Sequence, residues 1–127
     1  MIARILIVED DARIRELLKD FLESKHHRVL EAEDGAQGFM LAEKEVPHLI
    51  IMDLLMPGVY GSTAIKKLQE YWRTSKIPII VLTAYSDAPI RDLLESNPRM
   101  RFFKKPVDLN LLYKTIEELL PQGGYVP

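Results

Sequence analysis

A doubly wound α/β domain, with a five-stranded parallel sheet between two layers of helices, is the fold class this sequence predicts. Two observations carry it. Short apolar, β-branched runs alternate five times with segments of helical period, and such runs are apolar on both sides, as strands covered by helices on both faces must be. The connections are mostly short, so each crossover is right-handed and a three-layer sandwich closes the chain naturally.

Arg4-Ile5-Leu6-Ile7-Val8 forms the first strand, and Glu9, Asp10 and Asp11 follow it at once. From Ala12 the period changes. Ile14, Leu17, Leu18, Phe21 and Leu22 make one helical stripe, and Asp11 caps its start, where acids also complement the helix dipole. His26 and His27 read as solvated residues of the connection to a second strand, Arg28 to Ala32, because no third ligand stands at metal-site spacing. Asp34-Gly35 is a turn signal, and Ala36, Phe39 and Met40 open a second helix that ends before Pro47.

Leu49-Ile50-Ile51-Met52 is a strand buried on both faces; it ends in Asp53, with Pro57, Gly58 and Gly61 in the loop beyond. Ala64, Ile65, Leu68 and Trp72 give a third helical stripe, in which Trp72 reads as a packing residue. Ile77 to Ala84 is the fourth strand, its Pro78 confined to the first residues as a hydrogen-bonded ladder requires, and Thr83 stands at its carboxyl end. Asp87 caps a fourth helix with Pro89 in its first turn and Ile90, Leu93 and Leu94 on its apolar face. Met100 to Lys104 is the fifth strand, followed by Lys105-Pro106. Asp108 then caps the last helix, where Leu109, Leu112, Ile116, Leu119 and Leu120 face the core and Pro121 is the stop.

The 127 residues fit one domain with one sizeable core. Apolar residues at 47% and charged residues at 28% give an ordinary globular composition, with no apolar run of membrane length. Cysteine is absent, which removes disulfides, thiolate metal sites and cysteine nucleophiles. The amino-terminal apolar run is too short for a signal peptide, so the expectation is a cytoplasmic protein without membrane insertion. A net charge of −2 with interspersed signs argues against direct nucleic-acid binding.

The strand ends carry the chemistry. Glu9 and Asp10 follow the first strand, Asp53 ends the third, Thr83 the fourth, and Lys105 follows the fifth. In a parallel sheet all five fall on one edge. Three carboxylates crowded there repel one another, and a divalent cation relieves the repulsion. An all-oxygen donor set selects Mg²⁺ or Mn²⁺ over zinc, and Mg²⁺ bound by few protein groups leaves room for a phosphoryl oxygen. Thr83 and Lys105 would neutralise the remaining phosphoryl oxygens. Asp53, central in the set, is the nucleophile of choice for an acyl phosphate.

Val8-Glu9-Asp10-Asp11, Met52-Asp53 with Met56-Pro57 and Gly61, Leu82-Thr83-Ala84, and Lys105-Pro106 resemble the motif set of the response-regulator receiver domain of two-component signalling. The resemblance covers nearly the whole chain. It implies a flavodoxin-like fold of strand order 2-1-3-4-5 with a cis Lys-Pro peptide, a receiver over residues 1–121, and a short tail over 122–127 with no output domain. It implies Asp53 as phosphoacceptor and Asp10, Asp53 and the Leu55 carbonyl as Mg²⁺ ligands. Glu9 would hold a metal-bound water, Thr83 would be the switch hydroxyl, and Lys105 would contact the phosphoryl group. The switch aromatic, three positions before the lysine, is Phe102, which lacks a phenol to hydrogen-bond when exposed. The implied partners are a sensor histidine kinase or histidine phosphotransfer protein as donor and a downstream protein target. The chain would be a monomer or a phosphorylation-linked dimer, and no enzyme beyond its own phosphorylation and dephosphorylation. The family's usual Gly-Ala turn before the fifth strand is replaced by Ser96-Asn97-Pro98-Arg99. Two other readings remain open from the residues: a Mg²⁺-dependent phosphohydrolase that forms an aspartyl phosphate, which Leu55 disfavours because it offers no proton to a leaving group, and a receiver-like scaffold that is never phosphorylated.

By the same resemblance, Leu55 and Tyr85 hold the two positions that tune dephosphorylation. Leu55 cannot orient an attacking water and Tyr85 shields the acyl phosphate, so self-dephosphorylation should be slow. Leu55→Ala and Leu55→Asn are therefore expected to shorten the lifetime of the phosphorylated chain, measured by loss of the added mass with time; an unchanged lifetime in both would remove that role.

Overall fold

The computed structural model describes residues 2–54, 61–83 and 97–120. Five strands, β1 (Arg4–Val8), β2 (Arg28–Ala32), β3 (Leu49–Asp53), β4 (Ile79–Thr83) and β5 (Met100–Lys104), form one parallel sheet in the order β2-β1-β3-β4-β5. The helices are α1 (Ala12–Ser24), α2 (Gly35–Glu45), α3 (Gly61–Glu70) and α4 (Leu109–Leu119). The expected fold class, strand order and cis Lys105-Pro106 bond are all present. Leu55, Tyr85, the helix expected from Asp87 and the tail at 122–127 lie outside the described residues.

Period-2 alternation divides the core into two layers. Leu6, Val8, Ile50, Met52, Ile79 and Val81 pack with Ala42 of α2 and Ala64, Ile65 and Leu68 of α3. Ile5, Ile7, Leu49, Ile51, Ile80 and Leu82 pack on the other face with Leu18 and Leu22 of α1 and Leu112 and Ile116 of α4. β3 and β4 are buried at every position, which is why they read as unbroken apolar runs. Three helices start on an aspartate cap: Asp11 accepts from the Arg13 and Ile14 amides, Asp34 from Gln37, and Asp108 from Asn110 and Leu111.

Five expectations require correction. Leu17 is 56% exposed, because the face of α1 against the sheet is centred on Leu18 and Leu22 and leaves Leu17 on its solvent flank. Met40 is likewise 69% exposed on α2. α3 ends at Glu70, so Trp72 falls in the following turn rather than on the helical stripe; it is 78% exposed, with the Arg73 guanidinium 5.8 Å from its ring centre. β4 begins at Ile79 rather than Ile77, and Pro78, which has no amide to donate, contributes only its carbonyl, to Ile50 N–H at 3.0 Å.

His27 is not a solvated loop residue but is buried at the amino-terminal edge of the sheet. Its Nδ1 accepts the Ala3 amide at 3.0 Å, and His48 Nδ1 accepts the neighbouring Arg4 amide at 2.9 Å. With Nδ1 occupied as acceptor, the ring proton of His27 is on Nε2, 3.0 Å from the Tyr113 hydroxyl of α4. Burial holds both histidines below the usual imidazole range, which keeps them the neutral acceptors that these bonds need.

At the opposite edge α2 lies tight against β1. A Cβ on Gly38 would sit 2.7 Å from Val8 Cγ2 and 3.0 Å from Val8 Cγ1. Val8 is β-branched and fully buried, so neither methyl can rotate away. Gly38→Ala should therefore destabilise the fold by about 1–2 kcal/mol, overpacking outweighing the helix-propensity gain of about 1 kcal/mol. Urea unfolding measures this, and Val8→Ala in the same chain should relieve part of the clash, so that the two losses do not add.

Candidate functional site

The strand order reverses between β1 and β3, so their carboxyl ends open a crevice at the topological switch point of the sheet. Val8 pairs with Met52 in register, which sets the residues that follow, Glu9 and Asp53, side by side. Glu9 N–H continues the ladder to Ala32 O at 3.0 Å, and Leu54 N–H does so to Leu82 O at 3.2 Å. Lys105 N–H donates to Thr83 O at 2.7 Å, which ties the start of the Lys-Pro turn to the end of β4.

These backbone placements bring the predicted residues together. Carboxylate oxygens of Glu9, Asp10 and Asp53 lie within 4.8 Å of one another. Glu9 and Asp53 are buried, 1% and 4% exposed, while Asp10 is exposed. Lys105 reaches across from the far end of β5: its Nζ lies 2.8 Å from Glu9 Oε1 and 3.1 Å from Asp53 Oδ2. Thr83 is buried at the end of β4, in register with Lys104. Phe102 is half-buried against the α2/α3 side of the core, opposite Val81, and Phe103 against the α1/α4 side.

The three consecutive acids after β1 have different tasks. Asp11 faces the start of α1, where the Arg13 and Ile14 amides hold its carboxyl below the usual range. Glu9 faces inward, and burial, with the charge and hydrogen bonding of Asp53, pushes its carboxyl up to about 7 against the opposing bond from Lys105. Burial pulls Lys105 down, but its bonds to Glu9 and Asp53 outweigh this and hold it above the usual lysine range. Buried carboxylates with one ammonium between them, all oxygen donors within reach of one another, fit a hard divalent cation such as Mg²⁺. The Leu55 carbonyl expected to join them lies outside the described residues.

One residue at this edge escaped the sequence reading. Arg15 Nη1 donates to the Glu9 carbonyl at 2.7 Å, and the same guanidinium pairs with Glu31 and Glu33. Its only sequence signal is a basic residue one turn into a helix that follows an acidic strand end.

Comparison with known proteins agrees with the geometry. Residues 5–117 match the response regulator receiver domain, and the chain belongs to that family. It is 37% identical over 118 residues to the protein PilH of Pseudomonas aeruginosa, covering 93% of this chain and 98% of PilH. Other relatives are longer: the chain spans 52% of one and 26% of another. Among solved structures, the chemotaxis protein CheY4 of Vibrio cholerae superposes with a TM-score of 0.85 at 25% identity, covering 94% of this chain and all (100%) of that one. The receiver domain of the sensor histidine kinase PA1611 from Pseudomonas aeruginosa, solved with a magnesium ion coordinated in its active-site cleft, gives a TM-score of 0.83 at 26% identity, with 94% and 98% of the two chains covered. The chain is thus a phosphoacceptor response regulator of a class that is generally non-enzymatic, and neither the phosphohydrolase nor the scaffold reading is favoured. Among the described residues no helix is long and apolar enough to cross a membrane.

Glu9 makes the site pH-sensitive in a definite direction. Its folded-state value, about 7, lies above the ordinary carboxylate value of 4.5. Between these values the folded chain binds more protons than the unfolded one, so in chelator the site's contribution to stability falls as pH rises through this window. Mg²⁺ needs the ionised carboxylates and has the opposite preference. At about 100 times its Kd a ligand contributes about 2.7 kcal/mol, and the rise in unfolding midpoint caused by fixed Mg²⁺ should be larger at about pH 8 than at about pH 6. Glu9→Gln should remove most of that difference.

Proposed function

We propose that Asp53 is the phosphoacceptor and that the chain receives its phosphoryl group from a phosphohistidine on a sensor histidine kinase or histidine phosphotransfer protein. The observation that carries this is the Lys105 ammonium held between Glu9 and Asp53 at 2.8 and 3.1 Å in a buried, all-oxygen pocket. In the reaction an Asp53 oxygen attacks phosphorus and the P–N bond to the donor imidazole breaks, its electron pair staying on nitrogen; with a proton on the other ring nitrogen of the phosphohistidine, the donor leaves as neutral imidazole and Asp53 becomes an acyl phosphate. Lys105 lies within reach of the group that forms on Asp53 and would offset its charge, and Thr83, at the neighbouring strand end, would donate its hydroxyl. Asp10, Asp53 and the Leu55 carbonyl would hold Mg²⁺, with Glu9 through a water, and Mn²⁺ could replace it. The ion supplies positive charge against the phosphoryl oxygens.

The signal leaves by a change of surface. Thr83 and Phe102 sit on adjacent strands, β4 and β5, so a hydroxyl drawn toward a phosphoryl group would alter the space available to the half-buried Phe102. Phe102 has no phenol, so its position would be governed by packing against the α2/α3-side core. A downstream protein that prefers one arrangement would read the change, as a monomer or a phosphorylation-linked dimer. The working unit is the receiver over residues 1–121, acting in the cytoplasm by protein contact and beyond its own phosphorylation chemistry not as an enzyme.

Incubation with Mg²⁺ and acetyl phosphate, followed by intact mass, tests the acceptor. One added phosphoryl group is expected, lost in Asp53→Ala and in chelator. No mass gain, together with no binding of beryllofluoride in Mg²⁺, would overturn the proposal.

A further inference from the structure

We infer that Arg15 is a positioning residue for the metal-binding loop, acting by fixing the peptide that joins Glu9 to Asp10. This rests on the proposed Mg²⁺ site and extends it to a side chain that touches neither ion nor phosphoryl group. The guanidinium is only 15% exposed on its side chain, and its contacts are of two kinds. Toward the loop, Nη1 donates to the Glu9 carbonyl at 2.7 Å. Away from it, Nε lies 3.4 Å from Glu31 Oε1 and Nη2 lies 3.9 Å from Glu33 Oε1. Glu31 is on β2 and is shared with Lys19 at 3.4 Å, so Arg15 is anchored to the neighbouring strand before it reaches the loop.

The consequence lies in the plane of one peptide. Glu9 N–H is fixed by Ala32 O at 3.0 Å, and Glu9 C=O is fixed by Arg15. The first bond comes from β2 and the second from α1, and with the Asp11 amide on Glu9 Oε2 at 3.3 Å they set the orientation from which the Asp10 backbone departs. Asp10 is the exposed member of the carboxylate cluster and is not packed in place as Glu9 and Asp53 are. Its carboxylate depends on the backbone for aim. A planar, forked cation suits this role, since one guanidinium can satisfy a carbonyl and two carboxylates at once, which an ammonium on a flexible stem cannot.

Charge and position make opposite predictions here. If Arg15 acted only through its field, a cation near a cation site would repel Mg²⁺, so Arg15→Gln would tighten Mg²⁺ binding and Arg15→Lys would leave it unchanged. If it positions the loop, both variants bind Mg²⁺ more weakly. Loss of an outer-shell partner typically costs about 10–100-fold in metal affinity.

The experiment is calorimetric titration of the full chain with MgCl₂ for the wild type, Arg15→Gln, Arg15→Lys and Asp53→Asn, with each variant's unfolding midpoint in chelator measured alongside to confirm that it is folded. About tenfold or greater weakening is expected in Arg15→Gln and a smaller weakening in Arg15→Lys, and in spectra recorded in chelator the Asp10 and Asp11 amide resonances should shift. Unchanged or tighter binding in Arg15→Gln would overturn the inference while leaving the metal site in place. If Arg15→Gln does not fold, Arg15→Lys decides: unchanged affinity overturns the inference, and weaker affinity supports it. A wild type that binds no Mg²⁺ would overturn the site itself, and the role of Arg15 with it.

Discussion

The constraint on which the rest depends is the crowding of carboxylates at the end of a buried sheet. Glu9 and Asp53 are almost wholly out of water and each lies within about 3 Å of the same Lys105 ammonium. An ion cluster of this kind is not a stabilising device, because the desolvation of its charges offsets most of the attraction between them. Burial and the neighbouring Asp53 hold Glu9 above the usual carboxylate range against the opposing bond from Lys105.

The architecture supplies both the means and the stability for this. A parallel order that reverses between β1 and β3 brings Glu9 and Asp53 together, and the bond from Lys105 N–H to Thr83 O at the end of β4 sets Lys105 beside them. Two separate apolar layers hold the strands that bear these residues. The far edge is tied down by His27 and His48, which accept the Ala3 and Arg4 amides, and by the Arg4 guanidinium, which donates to the Val46 carbonyl at 3.0 Å. Polar backbone groups at both ends of β1 are thus satisfied by means suited to each end: histidine rings at the amino-terminal end, and the Ala32 carbonyl and an arginine at the end that carries the carboxylates.

Much of this was legible in the sequence because it depends on order along the chain. Unbroken apolar runs ending in Glu9, Asp53 or Thr83 locate strand ends, and parallel topology then places those ends on one edge. What was not legible depends on which neighbour covers which face. Leu17 and Trp72 fit a helical period, but period alone does not give the width of the buried stripe or the residue at which the helix stops. His27 looked like loop because its partners, Ala3 and Tyr113, are distant in sequence and meet it only in the folded sheet. Arg15 is the same case at the functional edge: its meaning lies in Glu31 and the Glu9 carbonyl, and neither is implied by its place on a helix.

The run Glu9-Asp10-Asp11 shows how a short loop sustains three adjacent negative charges without disrupting the elements it joins. Each carboxylate meets a different compensation. Glu9 is buried and faces Lys105; Asp10 stays in solvent, where water screens it; Asp11 is spent on the first amides of α1. Arg15 adds a further positive element that acts on the backbone rather than on any of the three carboxylates. The compensations fall on different oxygens: Lys105 on Glu9 Oε1, the Asp11 amide on Glu9 Oε2 at 3.3 Å, and the α1 amides on Asp11 Oδ1. Asp11 therefore caps α1 through an oxygen that Lys105 does not use.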